Sequence, residues 1–161
     1  MTAKEYNQCV HKFSDGVYRF ILKNLRDEDD ARDIVQDAFI KMWEKAETIE
    51  FEKGKSYIFT AAYHTMIDFI RRNKRFVEFD SSSMDVETSG THYNDLNEVL
   101  EMALEKLPEV QKSVILLRDY EGYSYEEIGQ IVGLNESQVK VYIYRGRLAL
   151  KKFIGNLETV I

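Results

Sequence analysis

Two stretches of this sequence carry side chains suited to chemistry on a polyanion. The first is SYEEIGQIVGLNESQVKVYIYRGR, residues 124–147. If it is helical from about residue 136, one side offers Glu136, Ser137, Gln138, Lys140, Val141, Tyr144 and Arg145. Polar residues early in such a helix reach base edges in a duplex groove, while later Lys and Arg hold phosphates. The second is YIFTAAYHTMIDFIRRNKR, residues 57–75, in which aromatics precede Arg71, Arg72, Lys74 and Arg75. Aromatic faces stack on unpaired bases at about 1–3 kcal/mol each, and cations follow the backbone. Tyr63 and His64 are the candidates for base contact; Phe59 and Phe69 are expected in the core. None of this is covalent chemistry. Phosphate-loop, dinucleotide and nucleophile-elbow patterns are absent from the sequence. His11, His64, His92 and Cys9 lack metal spacing. The expectation is a binding protein with no enzymatic activity, cofactor, metal or small-molecule substrate.

The elements that must hold these residues are helices. Ser124 and Glu127 form an S-x-x-E capping box, so a helix starts at Tyr125. It ends near Val132, where Gly133 can close it in the left-handed conformation. Asn135, with Gln138 three residues on, caps the next helix. Two short helices around a tight glycine turn are a helix-turn-helix. Ile128, Ile131, Leu134 and Val139 should point inward, and Gly129 is small where the helices cross. Upstream, Val10, Phe13, Val17, Phe20 and Ile21 step at helical spacing. A break at 25–30 leads to a helix over roughly 29–47, with Ile34, Val35, Ala38, Phe39, Met42 and Trp43 as its apolar stripe. A third helix spans roughly 55–75. Helices are also expected over about 95–106 and from Pro108, suited to a first helical position, to about Tyr120.

Between them, residues 77–94 show no period and are rich in Ser, Asp, Glu and Thr, as a linker is. Extended, these 18 residues reach at most about 60 Å. The formal charge of −6 is concentrated near this stretch. Residues 77–110 hold one basic residue against nine acidic, whereas 1–76 hold 14 against 13 and 111–161 hold seven against six. The ends are therefore locally basic, as in RRNKR at 71–75. The acidic strip should discourage stray DNA binding through repulsion. Cys9 is the only cysteine, which excludes an internal disulfide and reads as a core thiol. The first residues, MTAKEYNQCVHKF, lack a secretory apolar stretch, and no run of about 18 apolar residues occurs. A cytoplasmic protein is expected.

Read together, these segments resemble bacterial sigma factors of the sigma-70 family, in the small extracytoplasmic-function (ECF) group. DDARDIVQDAFIKMWE at 29–44 is similar to region 2.2 through Ala31, Asp33, Ile34, Gln36, Asp37, Phe39 and Trp43. Residues 57–75 resemble regions 2.3 and 2.4. Residues 104–154 resemble region 4, with Leu107-Pro108, Glu127-Ile128, Val139-Lys140 and Arg145 in place. Three positions depart from the pattern: Tyr57 replaces a tryptophan, His64 an asparagine and Gln138 a threonine.

The resemblance implies an all-α chain of two small helical domains joined by a flexible acidic linker: region 2 over 1–76, linker 77–94, region 4 over 95–161. It implies core RNA polymerase and promoter DNA as partners, and an anti-sigma factor, often membrane-bound, as regulator. Asp33, Gln36, Asp37 and Lys41 would meet polymerase. Tyr63, His64, Arg71, Arg72, Lys74 and Arg75 would hold the −10 element. Glu136, Ser137, Gln138, Lys140, Tyr144 and Arg145 would read the −35 element. Two other readings stay open: a helix-turn-helix regulator that never joins polymerase, and a helical protein-interaction domain. The first would not need the region 2.2 pattern or the aromatic-basic helix; the second would not need Lys140, Arg145 and Arg147 together.

Overall fold

The computed structural model describes residues 1–79 and 96–158, and every regular element among them is helical. In the first half, α1 (Ala3–Leu25), α2 (Glu28–Glu44) and α3 (Gly54–Phe79) follow one another, with two short 3-10 turns before α3. In the second half, α4 (Leu96–Glu105) leads to α5 (Glu109–Ile115), which runs on as a π-helical stretch over Leu116–Tyr120. Then come α6 (Tyr125–Val132) and α7 (Glu136–Glu158). No helix among the described residues is long and apolar enough to cross a membrane. Helix α3 reaches Phe79, so residues 77–79 of the expected linker are helical. The rest of that stretch lies outside the described residues.

Local chemistry sets the boundaries. Helix α1 begins on a reciprocal box between Thr2 and Glu5 and stops at Arg26, which takes a left-handed φ of 58°. Asp27 then accepts the Asp30 N–H at 2.9 Å, and three acidic residues meet the positive end of α2. Helices α1, α2 and α3 enclose Val17, Phe20, Ile34, Ala38, Met42, Ile58 and Met66, all buried.

The helix-turn-helix has the expected geometry. Ser124 and Glu127 cap each other, and Gly133 ends α6 at φ 77°. Ile128, Ile131 and Val139 are buried and Leu134 is half-buried. Gly129 sits at the crossing: a Cβ there would lie 2.5 Å from the Leu134 carbonyl oxygen. Gly146 on α7 likewise leaves room for Ile115 of α5. These glycines let α7 lie close to both supports.

The two halves pack on each other and share one continuous apolar cluster. Phe59 of α3 meets Tyr123, which precedes α6, edge to face at 5.0 Å. Gly129→Ala should cost about 1–3 kcal/mol by overpacking the helix crossing, and so lower the thermal midpoint by several degrees. Calorimetry checks this, and an unchanged midpoint would show that the crossing can relax.

Candidate nucleic-acid and polymerase interfaces

The recognition face of α7 is built from its cap outward. Asn135 N–H donates to Gln138 Oε1 at 3.0 Å, and Gln138 N–H donates to Asn135 Oδ1 at 2.8 Å. The Gln138 side chain is thus engaged in the cap, although exposed. Glu136, Ser137, Lys140, Val141, Tyr144 and Arg145 are all exposed along one side, as expected. Lys140 makes an exposed pair with Glu136 at 3.7 Å, which competes little for a phosphate. Arg145 has no ion-pair partner among the described residues. Arg147 differs: it is held by Asp119 through two contacts, at 2.5 and 3.3 Å. That bond fastens α7 to the end of the π-helical stretch, so Arg147 braces the helix while Arg145 stays open to solvent.

On α2, Asp33, Gln36 and Asp37 are exposed on one side. Lys41 is drawn toward α3, where its ammonium donates to Thr65 Oγ1 at 3.0 Å. The sequence reading placed Trp43 in the apolar stripe, but it is 52% exposed. Its ring rests on Tyr6 at 4.9 Å, and Tyr6 is fixed by its hydroxyl donating to the Phe39 carbonyl at 2.8 Å. Ile40, 49% exposed, lies between Gln36 and Trp43. An exposed carboxylate, amide, isoleucine and indole in a row make a surface suited to another protein. Ile40 and Trp43 were missed because the buried stripe is narrower than periodicity suggested: Ala31, Ile34, Ala38, Phe39 and Met42 are the buried residues of α2.

On α3, His64, Arg71, Arg72, Lys74 and Arg75 are exposed. Tyr63 is not the free aromatic expected, being only 6% exposed. Burial, and then the nearby Glu109 charge, push its phenol above the ordinary tyrosine range. Phe59 is core, as expected, and Phe69 is half-buried.

These three surfaces coincide with the parts matched by known families. The Sigma-70 region 2 model matches residues 9–76, and the Sigma-70, region 4 model matches 97–150. The RNA polymerase sigma factor SigV of Bacillus subtilis is 34% identical over 140 residues, spanning 85% of this chain and 83% of SigV. The chain belongs to the sigma-70 family, in its extracytoplasmic-function group. A second relative of this sigma factor, the ECF sigma factor SigM of Bacillus subtilis, is 26% identical over 90% of this chain and 92% of its own. Among solved structures, the sigma factor RpoE from Bartonella quintana, in complex with the anti-sigma factor NepR, superposes with a TM-score of 0.80 at 26% identity. That match covers 95% of this sigma factor and 98% of RpoE, and so spans both halves.

The cap before α6 also gives a pH signature. Glu127 accepts the Ser124 N–H at 3.1 Å and lies 3.6 Å from the Lys55 ammonium. The backbone hydrogen bond, aided by the Ser124 hydroxyl and Lys55, holds its carboxyl below the ordinary glutamate range. A lowered folded value stabilises the protein above the ordinary range, and that stability is lost as pH falls through the folded value. Glu127→Gln keeps an oxygen acceptor but cannot titrate. Its urea midpoint should therefore fall less steeply than that of the unsubstituted protein between ordinary glutamate pH and more acidic conditions.

Proposed function

We propose that this sigma factor joins core RNA polymerase through the α2 surface, holds the unpaired −10 strand on α3 and reads the −35 duplex with α7. The observation that carries this is the pairing, in one chain, of the two matched regions with three exposed faces of fitting chemistry. Asp33, Gln36 and Asp37, extended by Ile40 and Trp43, would form the polymerase dock, with Lys41 at its edge. His64 and the Arg71–Arg75 cluster would receive the single strand first, with Tyr63 joining once uncovered. Glu136, Ser137, Lys140, Tyr144 and Arg145 would enter the major groove, with Gln138 acting mainly as the cap.

Region 2 corresponds to 1–76 in this reading, region 4 to 95–161, and 77–94 to the tether between them. The sigma factor makes and breaks no covalent bond; polymerase does the synthesis. Its place of work is then the cytoplasm. An anti-sigma factor, the kind of partner with which RpoE was solved, fits as its regulator.

Run-off transcription tests the function: bacterial core polymerase is supplied with this protein and the DNA upstream of its gene. A discrete transcript that depends on the protein is expected. A specific duplex shift without polymerase binding would instead favour a regulator that never joins polymerase. Gln36→Ala with Asp37→Ala should weaken polymerase capture and leave the circular-dichroism spectrum unchanged; full capture would remove both from the dock. Arg145→Ala should reduce the salt slope of promoter binding by about one phosphate contact, with normal polymerase capture.

A further inference from the structure

After α5 the chain widens into the π-helical turn Leu116–Tyr120, closed by the Glu121 N–H on the Leu116 carbonyl at 3.1 Å. Such turns are rare and concentrate at functional positions. Two side chains of this one are both spent on the helix-turn-helix. Arg118 donates to the Tyr123 carbonyl at 2.9 Å and lies over the Tyr125 ring at 4.4 Å, at the start of α6. The Lys140 ammonium of α7 is 5.4 Å from the centre of the same ring. The Asp119 carboxylate accepts two donors of Arg147, at 2.5 and 3.3 Å. Lys140 and Arg147 are seven residues apart, two helical turns, and so share one flank of α7. The π turn thus holds that flank at two points, about 10 Å apart along the axis.

The inner side of α7 fixes its distance from α5 more firmly than its rotation. Val139 and Ile143 are buried, and a Cβ on Gly146 would collide with Ile115. A close approach at glycine offers no side chain to resist turning about the helix axis. A turn of about 10° carries a side-chain tip about 1 Å sideways at the ~6 Å radius of a helix with its side chains. A binding group has to be held within about 0.5 Å to act selectively. Arg145, about 200° around the helix from Arg147, would be displaced by any such turn. The flank tied to the π turn is therefore what sets the direction of the open face. The Asp119–Arg147 pair is partly exposed, at 38% and 50%, so it adds little to stability. Its effect lies in orientation.

We propose that Asp119 and Arg147 are positioning residues for duplex reading: their pair fixes the rotation of α7, so that its exposed side chains meet base edges in register, and it keeps Arg147 off the phosphates. The role rests on the sigma-factor reading. Breaking the pair at Asp119 acts twice. The helix turns more freely, so base discrimination falls. The released Arg147 also gains a phosphate, a contact that carries no sequence information.

The test uses the full chain assembled with core polymerase. Run-off transcription from the DNA upstream of its gene, with the −35 segment randomised, first identifies the preferred sequence. Binding of preferred and scrambled duplexes is then measured across a range of salt. Asp119→Ala should lower the preference at least about fivefold and steepen the salt slope by about one contact, with the thermal midpoint nearly unchanged. Asp119→Asn keeps the shape without the charge and makes the same comparison if Asp119→Ala fails to fold. Arg147→Ala should lower the preference and leave the slope unchanged, unlike Arg145→Ala. Asp119→Arg combined with Arg147→Asp restores the pair in reverse and should recover part of the preference, which a merely destabilised helix would not do. A shallower slope for Arg147→Ala would make Arg147 a phosphate ligand and overturn the positioning role. An unchanged preference in Asp119→Ala, with normal transcription, would overturn that role alone. Absence of any protein-dependent transcript from the unsubstituted chain would overturn the sigma-factor reading and the role with it.

Discussion

Phe59 is the side chain on which both halves close. It is 1% exposed, with Phe20 of α1 at 6.0 Å on one side and Tyr123 at 5.0 Å on the other. Its neighbours along α3 inherit their surroundings from this contact. Lys55, one turn earlier, is brought to Glu127 and the Tyr123 ring. Tyr63, one turn later, is 6% exposed, with the Glu109 charge near enough to act on its phenol. His64, turned about 100° away by the helical repeat, stays in solvent. One aromatic contact thus decides which residues of α3 are accessible.

Much of this fold is legible in local sequence because local hydrogen bonds write it. The Ser124–Glu127 box, the Gly133 stop and the Asn135–Gln138 cap each span four residues or fewer. Each satisfies helix-end groups with a partner that can be named from spacing alone. The exposed face of α7 follows directly from where that cap starts the helix. The π-helical stretch after α5 has no comparable local signal; Leu116–Tyr120 reads as continued α-helix. Trp43 and Tyr63 were misplaced for a related reason. Periodicity says which residues can share a face, but not how much of that face a neighbouring helix covers. The core takes Ala31, Ile34, Ala38, Phe39 and Met42 from α2, and Trp43 is left half in solvent on Tyr6. Tyr63 is 6% exposed, a degree of burial that no window on α3 specifies.

The acidic charge has a structural as well as a repulsive use. Glu101 and Glu105 belong to the acid-rich segment, and both turn toward Arg26 at the end of α1. Glu121 and Glu127 continue the same sign along the seam. Acids on the second half are therefore sorted away from the α7 recognition face, where only Glu136 intrudes and is paired to Lys140. The net charge of the chain and the character of its exposed α7 face are separate quantities, because Glu101, Glu105, Glu121 and Glu127 of the second half pair with bases of the first.

This sorting gives the two candidate surfaces, on α7 and α3, unequal status. The α7 face is complete on its own: cap, brace and exposed side chains all come from the second half, and Arg147 is held by Asp119 whatever the first half does. The α3 face is incomplete, since its cations are exposed while its aromatic Tyr63 is covered. Cations alone hold any nucleic-acid backbone without regard to sequence or strandedness, whereas stacking distinguishes an unpaired base from a duplex. In this arrangement the polar side chains of α7 and the cations of α3 are open to solvent, while Tyr63 is not. The unequal exposure follows from packing: the cap before α7 turns its polar side outward, whereas Tyr63 shares the stripe of α3 on which Phe59 is buried.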